Sequence, residues 1–360
     1  MAVQQALHDL PDPRSAALAV VVVPSEYPAE AVRSTLVSEL RGVPFFGFSS
    51  AGQLHQHRQV DEQIIVAVLA GDGLDVRTAW WPGIDGELPT NVRESLAPNE
   101  DNPVILAVDG TRADAQALTQ LLDGLHVVGC VTGGEMSHPN ENYQLAGEAA
   151  GVGGVAGLHI SGRVKLGVGM AHGWTPVGLY SKVTQADGLW IRTLDERPAA
   201  EFYANLFSIE SYDWLSPLLK DMIRMYPLGI EQVGTGEMQI CAPVRIEADG
   251  SFRMMTSVVP GSTGHVMVGS IMECERAIRQ ACSQALAALG NAQPVLAVVC
   301  VDVAWKTIFE SEPTRIPRIM SDALGIDIPV VGGYSLGQIM TPDRAPQVLN
   351  QHFEVILIGA

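Results

Sequence analysis

One short loop occurs three times in this chain, and that recurrence limits the folds open to it. The copies read Phe46-Gly47-Phe48-Ser49-Ser50-Ala51-Gly52-Gln53, Val128-Gly129-Cys130-Val131-Thr132-Gly133-Gly134-Glu135 and Val331-Gly332-Gly333-Tyr334-Ser335-Leu336-Gly337-Gln338. Their shared pattern is apolar-Gly-x-x-[Ser/Thr]-x-Gly-[Gln/Glu]. Each follows an apolar pair and precedes another apolar strand. Glycine lets backbone N–H groups turn outward, and the hydroxyl, amide and carboxylate add side-chain donors and acceptors. Turn glycines of a hairpin would explain any single copy. Three copies in equivalent contexts favour a shared role, with Ser50, Gly52, Gln53, Thr132, Gly134, Glu135, Ser335 and Gln338 as candidate ligand contacts.

The segments around the loops repeat as well. Ala17 to Val23 is a continuous β-branched run, the pattern of a strand buried on both faces. Val32, Leu36 and Leu40 then fall on one helical face that Gly42 stops, and Val43 to Gly47 leads into the first loop. Gln63 to Leu69 and Val76 to Trp81 follow as strands. In the second unit Pro103 to Val108 is a strand, and Leu118, Leu121, Leu122 and Leu125 share a helical face after a capping-box-like Thr111-Arg112-Ala113-Asp114. Strands Gly151 to Ile160 and Val164 to Met170 come after the second loop. The third unit has the strand Val295 to Val301, the helical face Ile316, Ile319, Met320, Ala323 and Leu324, and a closing strand Phe353 to Gly359. The order strand–helix–strand–loop–strand is therefore used at least three times. It predicts an α/β protein of helix-covered sheets with the loops at strand ends along an edge. Between the second and third units the pattern predicts helices at Ala199–Phe207, Tyr212–Tyr226 and Glu273–Leu289, and a hairpin of Met238–Ile246 with Phe252–Val259.

Composition closes off several classes. With 360 residues, 47% hydrophobic and 17% charged, the chain has core enough for two domains and is not disordered. A formal charge of −18 argues against nucleic acid and anionic membrane surfaces as partners. Cys130, Cys241, Cys274, Cys282 and Cys300 form no CxxC pair, so neither a zinc ribbon nor a disulfide framework is indicated. Thiols in apolar runs read as buried hydrophobes in a reducing cytoplasm, and the N-terminus shows no secretory pattern.

For catalysis, Ser50, Thr132 and Ser335 are candidate nucleophiles, with Glu135, His138, His172 and His352 as candidate bases. None sits in a G-x-S-x-G elbow, and hydroxyls in Gly-rich turns mostly bind backbone. Asp109 and Asp302 end apolar strands, where α/β sheets present ligand contacts and where capping aspartates also occur. His172 and Trp174 lie together in Gly169-Met170-Ala171-His172-Gly173-Trp174. A neutral imidazole there could hold iron or a ligand, or be a satisfied structural histidine.

The run Gly173-Trp174-Thr175-Pro176-Val177-Gly178, with Val183-Thr184, Leu194-Asp195, Pro198-Ala199 and Tyr203, resembles the second half of a FIST N-terminal domain. Val244-Arg245-Ile246, Asp249-Gly250-Ser251, Pro260-Gly261, Cys300 and Val331 to Ile339 resemble a FIST C-terminal domain. The resemblance covers roughly residues 17 to 358. It implies an intracellular sensory protein that binds a small ligand, amino acids being suggested. Some members are similar to haem-dependent nitric-oxide sensors paired with histidine kinases or cyclic-di-nucleotide enzymes. This chain departs from the family at Gln338, where Glu is usual, and at Asn350-Gln351-His352, where Asn-x-Thr is usual. It also lacks an Arg often found just after the Cys300 position.

The sequence thus leads to a two-domain cytoplasmic α/β protein: a tail 1–16, a FIST N-terminal domain 17–210 and a FIST C-terminal domain 211–360. Its expected work is small-ligand sensing through a partner protein, with a haem at His172 as a special case, no nucleic-acid or membrane partner, and an oligomer left open. The alternative is a hydrolase or lyase using the loop hydroxyls. The ligand site is expected to be built from the first-domain loops together with the segment around His172 and Trp174, with Asp109 as a further candidate contact.

Overall fold

Alternation along three strands decides the architecture. In the computed structural model the chain is described over residues 1–82, 92–97, 101–111, 115–133, 142–209, 217–231, 238–325, 327–342 and 345–360. The first unit runs β1 (Ala16–Pro24), α1 (Ala29–Leu40), β2 (Phe45–Ser50), β3 (Gln53–His55) and β4 (Ile65–Ala70). The second runs β5 (Val104–Asp109), α2 (Ala115–Leu121), β6 (Val127–Thr132), β7 (Tyr143–Gly147) and β8 (Val155–Gly162). Next come β9 (Lys165–His172), β10 (Trp174–Asp187), β11 (Thr263–Gly269) and the long α3 (Ile271–Leu289). The third unit is β12 (Pro294–Asp302), α4 (Arg315–Leu324), β13 (Val330–Ser335), β14 (Gly337–Met340) and β15 (His352–Gly359).

Each unit pairs its first two long strands in parallel, β1 with β2, β5 with β6 and β12 with β13. Each first strand also takes an antiparallel return strand on its other side, β4, β8 or β15. The strand after each loop leaves its own unit. Thus β3 pairs with β13, β7 with β2, and β14 with β6, a closed cycle among the three units. The registers agree around the cycle: Gln53 faces Gly333, Gln144 faces Phe48, and Gln338 faces Cys130, each the third residue of the loop motif. A further strand, β9, joins β15, so chain before residue 210 pairs with chain after it.

Side chains on the even positions of β1, and their counterparts, meet in one common core: Leu18, Val20 and Val22 with Ile105, Ala107, Val298 and Cys300. The alternate positions face outward onto helices. Val21 and Val23 meet Val32, Leu36 and Leu40 of α1. Leu106 and Val108 meet Ala115 and Leu118 of α2, and Val299 and Val301 share a core with Ile316, Ile319 and Met320 of α4. Strands covered on both faces must be apolar throughout, which is why these segments are unbroken β-branched runs. The first glycine of each loop permits the closest strand contact. A Cβ on Gly47, Gly129 or Gly332 would lie 2.0, 2.0 or 2.3 Å from the carbonyl oxygen of Val21, Leu106 or Val299.

Several expectations change. Leu121 is exposed rather than on the buried face, because α2 ends there and Leu122 and Leu125 return to the core from a turn. The strand expected at Gly151–Ile160 is broken at residues 153–154, where Gly153 has φ +71°. The segment Met238–Ile246 is two strands split at Ala242. Met238–Cys241 pairs with Leu228–Glu231, and only Pro243–Ile246 forms the hairpin with Phe252–Met254. Of the helix expected at Tyr212–Tyr226, Pro217–Met225 is helical and residues 212–216 lie outside the described residues, as do residues 112–114 of the capping box. The fourteen-residue β10 was not read from the sequence, because Pro176 and Gly178 interrupt its alternation.

Candidate functional site

The three loops do meet, but in the interior. Ser50 Oγ donates to the carbonyls of Gly52 (2.6 Å) and Tyr334 (2.9 Å), Tyr334 N–H donates to Gly52 O, and Leu336 N–H donates to Val131 O. A parallel bridge joins Ser50 to Gly133. Thr132 Oγ1 donates to Val108 O, and Ser335 Oγ contacts the carbonyls of Val301 and Gly337. All three hydroxyl residues are at most 2% exposed. Their hydrogens are engaged by backbone, so the loops form a structural hub where the three units meet. A buried hydroxyl bonded to a carbonyl has no route to attack a substrate, which leaves the hydrolase reading without a nucleophile at these positions.

The glutamines complete the hub. Gln53 Nε2 donates to Ser50 O, and Gln338 Nε2 to Ser335 Oγ (3.3 Å). In the second unit that position belongs to Gln144, whose Nε2 donates to Thr132 Oγ1 (2.7 Å) while its Oε1 accepts from Gly154 N–H. Gly134 and Glu135, aligned with Gly52-Gln53 and Gly337-Gln338 in the sequence, lie outside the described residues, as does His138. Sequence spacing hides Gln144, because a longer connection separates it from Thr132. Its signal is the strand register alone.

Asp109 and Asp302 occupy equivalent strand ends. Asp109 accepts from Thr111 N–H and Gly153 N–H; Asp302 accepts from Ala304 N–H and Gln351 N–H. Each carboxylate ties the start of the following turn to the return strand. Burial pushes the Asp302 carboxyl up to about 6, with those N–H groups and Arg224 opposing.

His172 and Trp174 lie elsewhere, on the wall of an open cleft of about 870 Å³. The end of β9 and start of β10 supply Met170, Ala171, His172, Trp174 and Pro176; the strand Met238–Cys241 supplies Met238, Gln239 and Ile240; β11 supplies Met267. Gln280 and Gln284 of α3 reach it from one side, and Met340, Pro342, Gln347, Leu349 and His352 from the other. The β9–β15 register places His172 directly opposite His352, and their rings meet edge to face with centres 5.0 Å apart. Trp174 packs on Trp305 beneath the wall, and its buried indole N–H has no hydrogen-bond partner among the described residues.

Backbone contacts set the tautomer of both imidazoles. Trp174 N–H donates to His172 Nδ1 (3.3 Å), so the neutral His172 ring carries its hydrogen on Nε2. His352 Nδ1 faces the Asn350 carbonyl, which can only accept, so its hydrogen is on Nδ1 and Nε2 keeps a lone pair. Burial holds the His172 pKa below the ordinary value. Burial first, then charge on His172, drives His352 down to about 3. The cleft therefore presents one fixed donor and one fixed acceptor on neutral rings. No described residue that lines it is charged.

A side-chain hydrogen bond joins the cleft to the hub. His352 N–H donates to Gln338 Oε1 (3.2 Å), and Gln338 in turn donates to Ser335 Oγ. Of the residues singled out in the sequence, His172, Trp174 and His352 line the cleft, Gln338 sits one hydrogen bond behind it and Ser335 two. Ser50, Gly52, Gln53, Thr132 and Asp109 belong to the interior. His172, the haem candidate of the sequence, carries its ring hydrogen on Nε2 and so offers iron no lone pair there in this arrangement. His352 offers an unprotonated nitrogen of the kind iron accepts, but no described Lys or Arg lines the cleft to balance two propionates. Among the described residues no cluster of His, Cys, Asp and Glu suits a metal ion, all five cysteines are buried and free, and no helix is long and apolar enough to cross a membrane.

Comparison with known proteins gives two matches along the chain. Residues 17–197 match the FIST N domain and residues 199–341 the FIST C domain. No curated protein matches the chain.

Proposed function

Because the chain belongs to the FIST family across both of its domains, a sensory family that binds small ligands, we propose that the cleft at His172 and His352 is its ligand site. We read the protein as a cytoplasmic sensor that acts in signal transduction through a partner protein. The observation carrying this is the cleft itself. Its volume of about 870 Å³ lies within the usual range of small-molecule pockets. Its wall mixes apolar side chains with uncharged polar ones, two histidines and four glutamines, a composition that suits recognition of a neutral polar ligand. Four methionines, Met170, Met238, Met267 and Met340, add an adaptable thioether surface.

The bond from His352 to Gln338 offers a route from ligand to hub. A ligand that moves the Asn350-Gln351-His352 segment acts on Gln338 and Ser335, and through Gln351 on Asp302 and Arg224. The partner that reads this change is, by the family resemblance, a histidine kinase or a cyclic-di-nucleotide enzyme. Five free buried thiols suit a reducing compartment.

The test blocks the cleft without touching the hub. Gln280 is an exposed residue of α3 at the cleft wall. Gln280→Trp should leave the melting temperature of the free protein unchanged and abolish the thermal stabilisation given by any compound found in a metabolite screen. Hits that stabilise the Gln280→Trp variant as strongly as the natural protein would show that the cleft is not the site.

A further inference from the structure

We infer that the cleft recognises an uncharged carboxamide or lactam edge, a carbonyl beside an N–H, laid across the touching pair His172 and His352. The inference rests on the cleft being the ligand site and names the chemistry of what enters it.

The least exposed part of the lining, its floor, is Met170, Ala171, Trp174, Ile240, Met267 and His352, with the half-buried His172 beside them. His172 Nε2 is a donor, because its Nδ1 is taken by the Trp174 N–H. His352 Nε2 is an acceptor, because its Nδ1 hydrogen is directed at the Asn350 carbonyl. Neither Nε2 has a described partner within the protein. The rings stand 5.0 Å apart at an interplanar angle of 82°, held by paired strands. A carbonyl oxygen satisfies the first ring and an adjacent N–H the second.

Other chemistries match this floor less well. A carboxylate would meet one donor and one lone pair, so half its contact would be repulsive. An ammonium would gain one acceptor and lose its hydration against methionine and isoleucine. A zwitterionic amino acid would bring both charges to a floor that has none. A purely apolar group would leave both ring nitrogens unpaired, which a buried polar group tolerates poorly. Gln280, Gln284 and Gln347 lie on the more exposed part of the wall, so the rest of the ligand can be polar toward the mouth.

Three small probes separate these cases: nicotinamide, N,N-dimethylnicotinamide and nicotinate. They share a ring and differ only at the edge. The first has C=O and N–H, the second has C=O without N–H, and the third carries a negative charge. Each is titrated into the full-length protein while the ring signals of His172 and His352 and the methyl signals of Met170 and Met267 are followed by NMR. Nicotinamide should shift these signals saturably. The other two should bind ten-fold more weakly or worse, since each loses a hydrogen bond to a buried partner. Equal or tighter binding of nicotinate or of the dimethyl amide at these signals would overturn the inference and leave the cleft as a ligand site. Failure of all three to shift them would also overturn it. If, in addition, no compound of any charge class shifts them, the site assignment falls as well.

Discussion

Replacing the first glycine of each loop by alanine should be severe in all three copies, and most severe at Gly129, whose φ of +130° adds backbone strain. A Cβ on Gly47 or Gly129 would stand 2.0 Å from a carbonyl oxygen, and on Gly332 2.3 Å. Carbon and oxygen normally approach to about 3.3 Å, so each strand would have to recede by roughly an ångström from its parallel partner. Parallel strands are held at about 4.8 Å by their ladder, and such a shift breaks at least one buried hydrogen bond, worth about 1–3 kcal/mol. Overpacking of a tight core adds about 1–3 kcal/mol. The expected loss is therefore about 3–6 kcal/mol, a large part of a typical domain's stability of about 5–15 kcal/mol. Urea unfolding followed by circular dichroism reads it. Gly178→Ala is the control: its φ is +83° and nothing lies within 4 Å of the added Cβ, so only backbone strain of about 1–2 kcal/mol applies. Loop variants as stable as that control would refute the close-approach argument. One severe variant among three would refute the equivalence of the loops.

Two further outcomes follow from the buried polar groups. Gln144→Leu leaves the Gly154 N–H and the Thr132 hydroxyl without their partner, and should cost about 2–4 kcal/mol in the same urea assay; a loss under 1 kcal/mol would remove Gln144 from the hub. His352 has a pKa driven down to about 3, so below pH 6.5 the unfolded chain gains a proton that the folded ring refuses, and stability is lost as pH falls. Asp302 and Glu354, whose pKa values burial raises, act in the opposite direction, so the comparison is with His352→Gln, which keeps both carboxyls. The stability difference between natural protein and variant should shrink by about 1.4 kcal/mol per pH unit from pH 6 to pH 5, and a difference constant over that range would contradict a neutral buried His352.

How much of this was legible in the sequence depends on whether a feature is local. The runs Ala17–Val23, Pro103–Val108 and Val295–Val301 announce covered strands because apolar side chains on both faces leave no alternation. The face Ile278, Ala281, Cys282, Ala285 and Leu289 is equally local, and α3 buries it as expected. The cyclic exchange of β3, β7 and β14 is not local. Nothing in Gln53 or Gln338 says that its strand crosses to another unit, and register alone equates them with Gln144. For the same reason the loops read as open ligand contacts when their hydroxyls are buried in a hub. His172 and Trp174 stood out by being adjacent. Their partner His352 is 180 residues away from His172 in the chain, and the β9–β15 pairing sets the two opposite each other. Ile240 and Met267 carry no sequence signal, since a cleft wall and a core face have the same apolar composition.

The central claim, that ligand enters the cleft at His172 and His352, is tested most directly by methyl NMR of the protein labelled at its 12 methionines. Met170, Met238, Met267 and Met340 line the cleft, whereas Met254 packs in a different core and Met320, in the core that also holds Met267, is not a lining residue. A library of small metabolites, charged and neutral, is added compound by compound. The account predicts that compounds which bind will shift the four cleft signals and leave those of Met254 and Met320 in place. Binding compounds that leave the four cleft signals unmoved would contradict it.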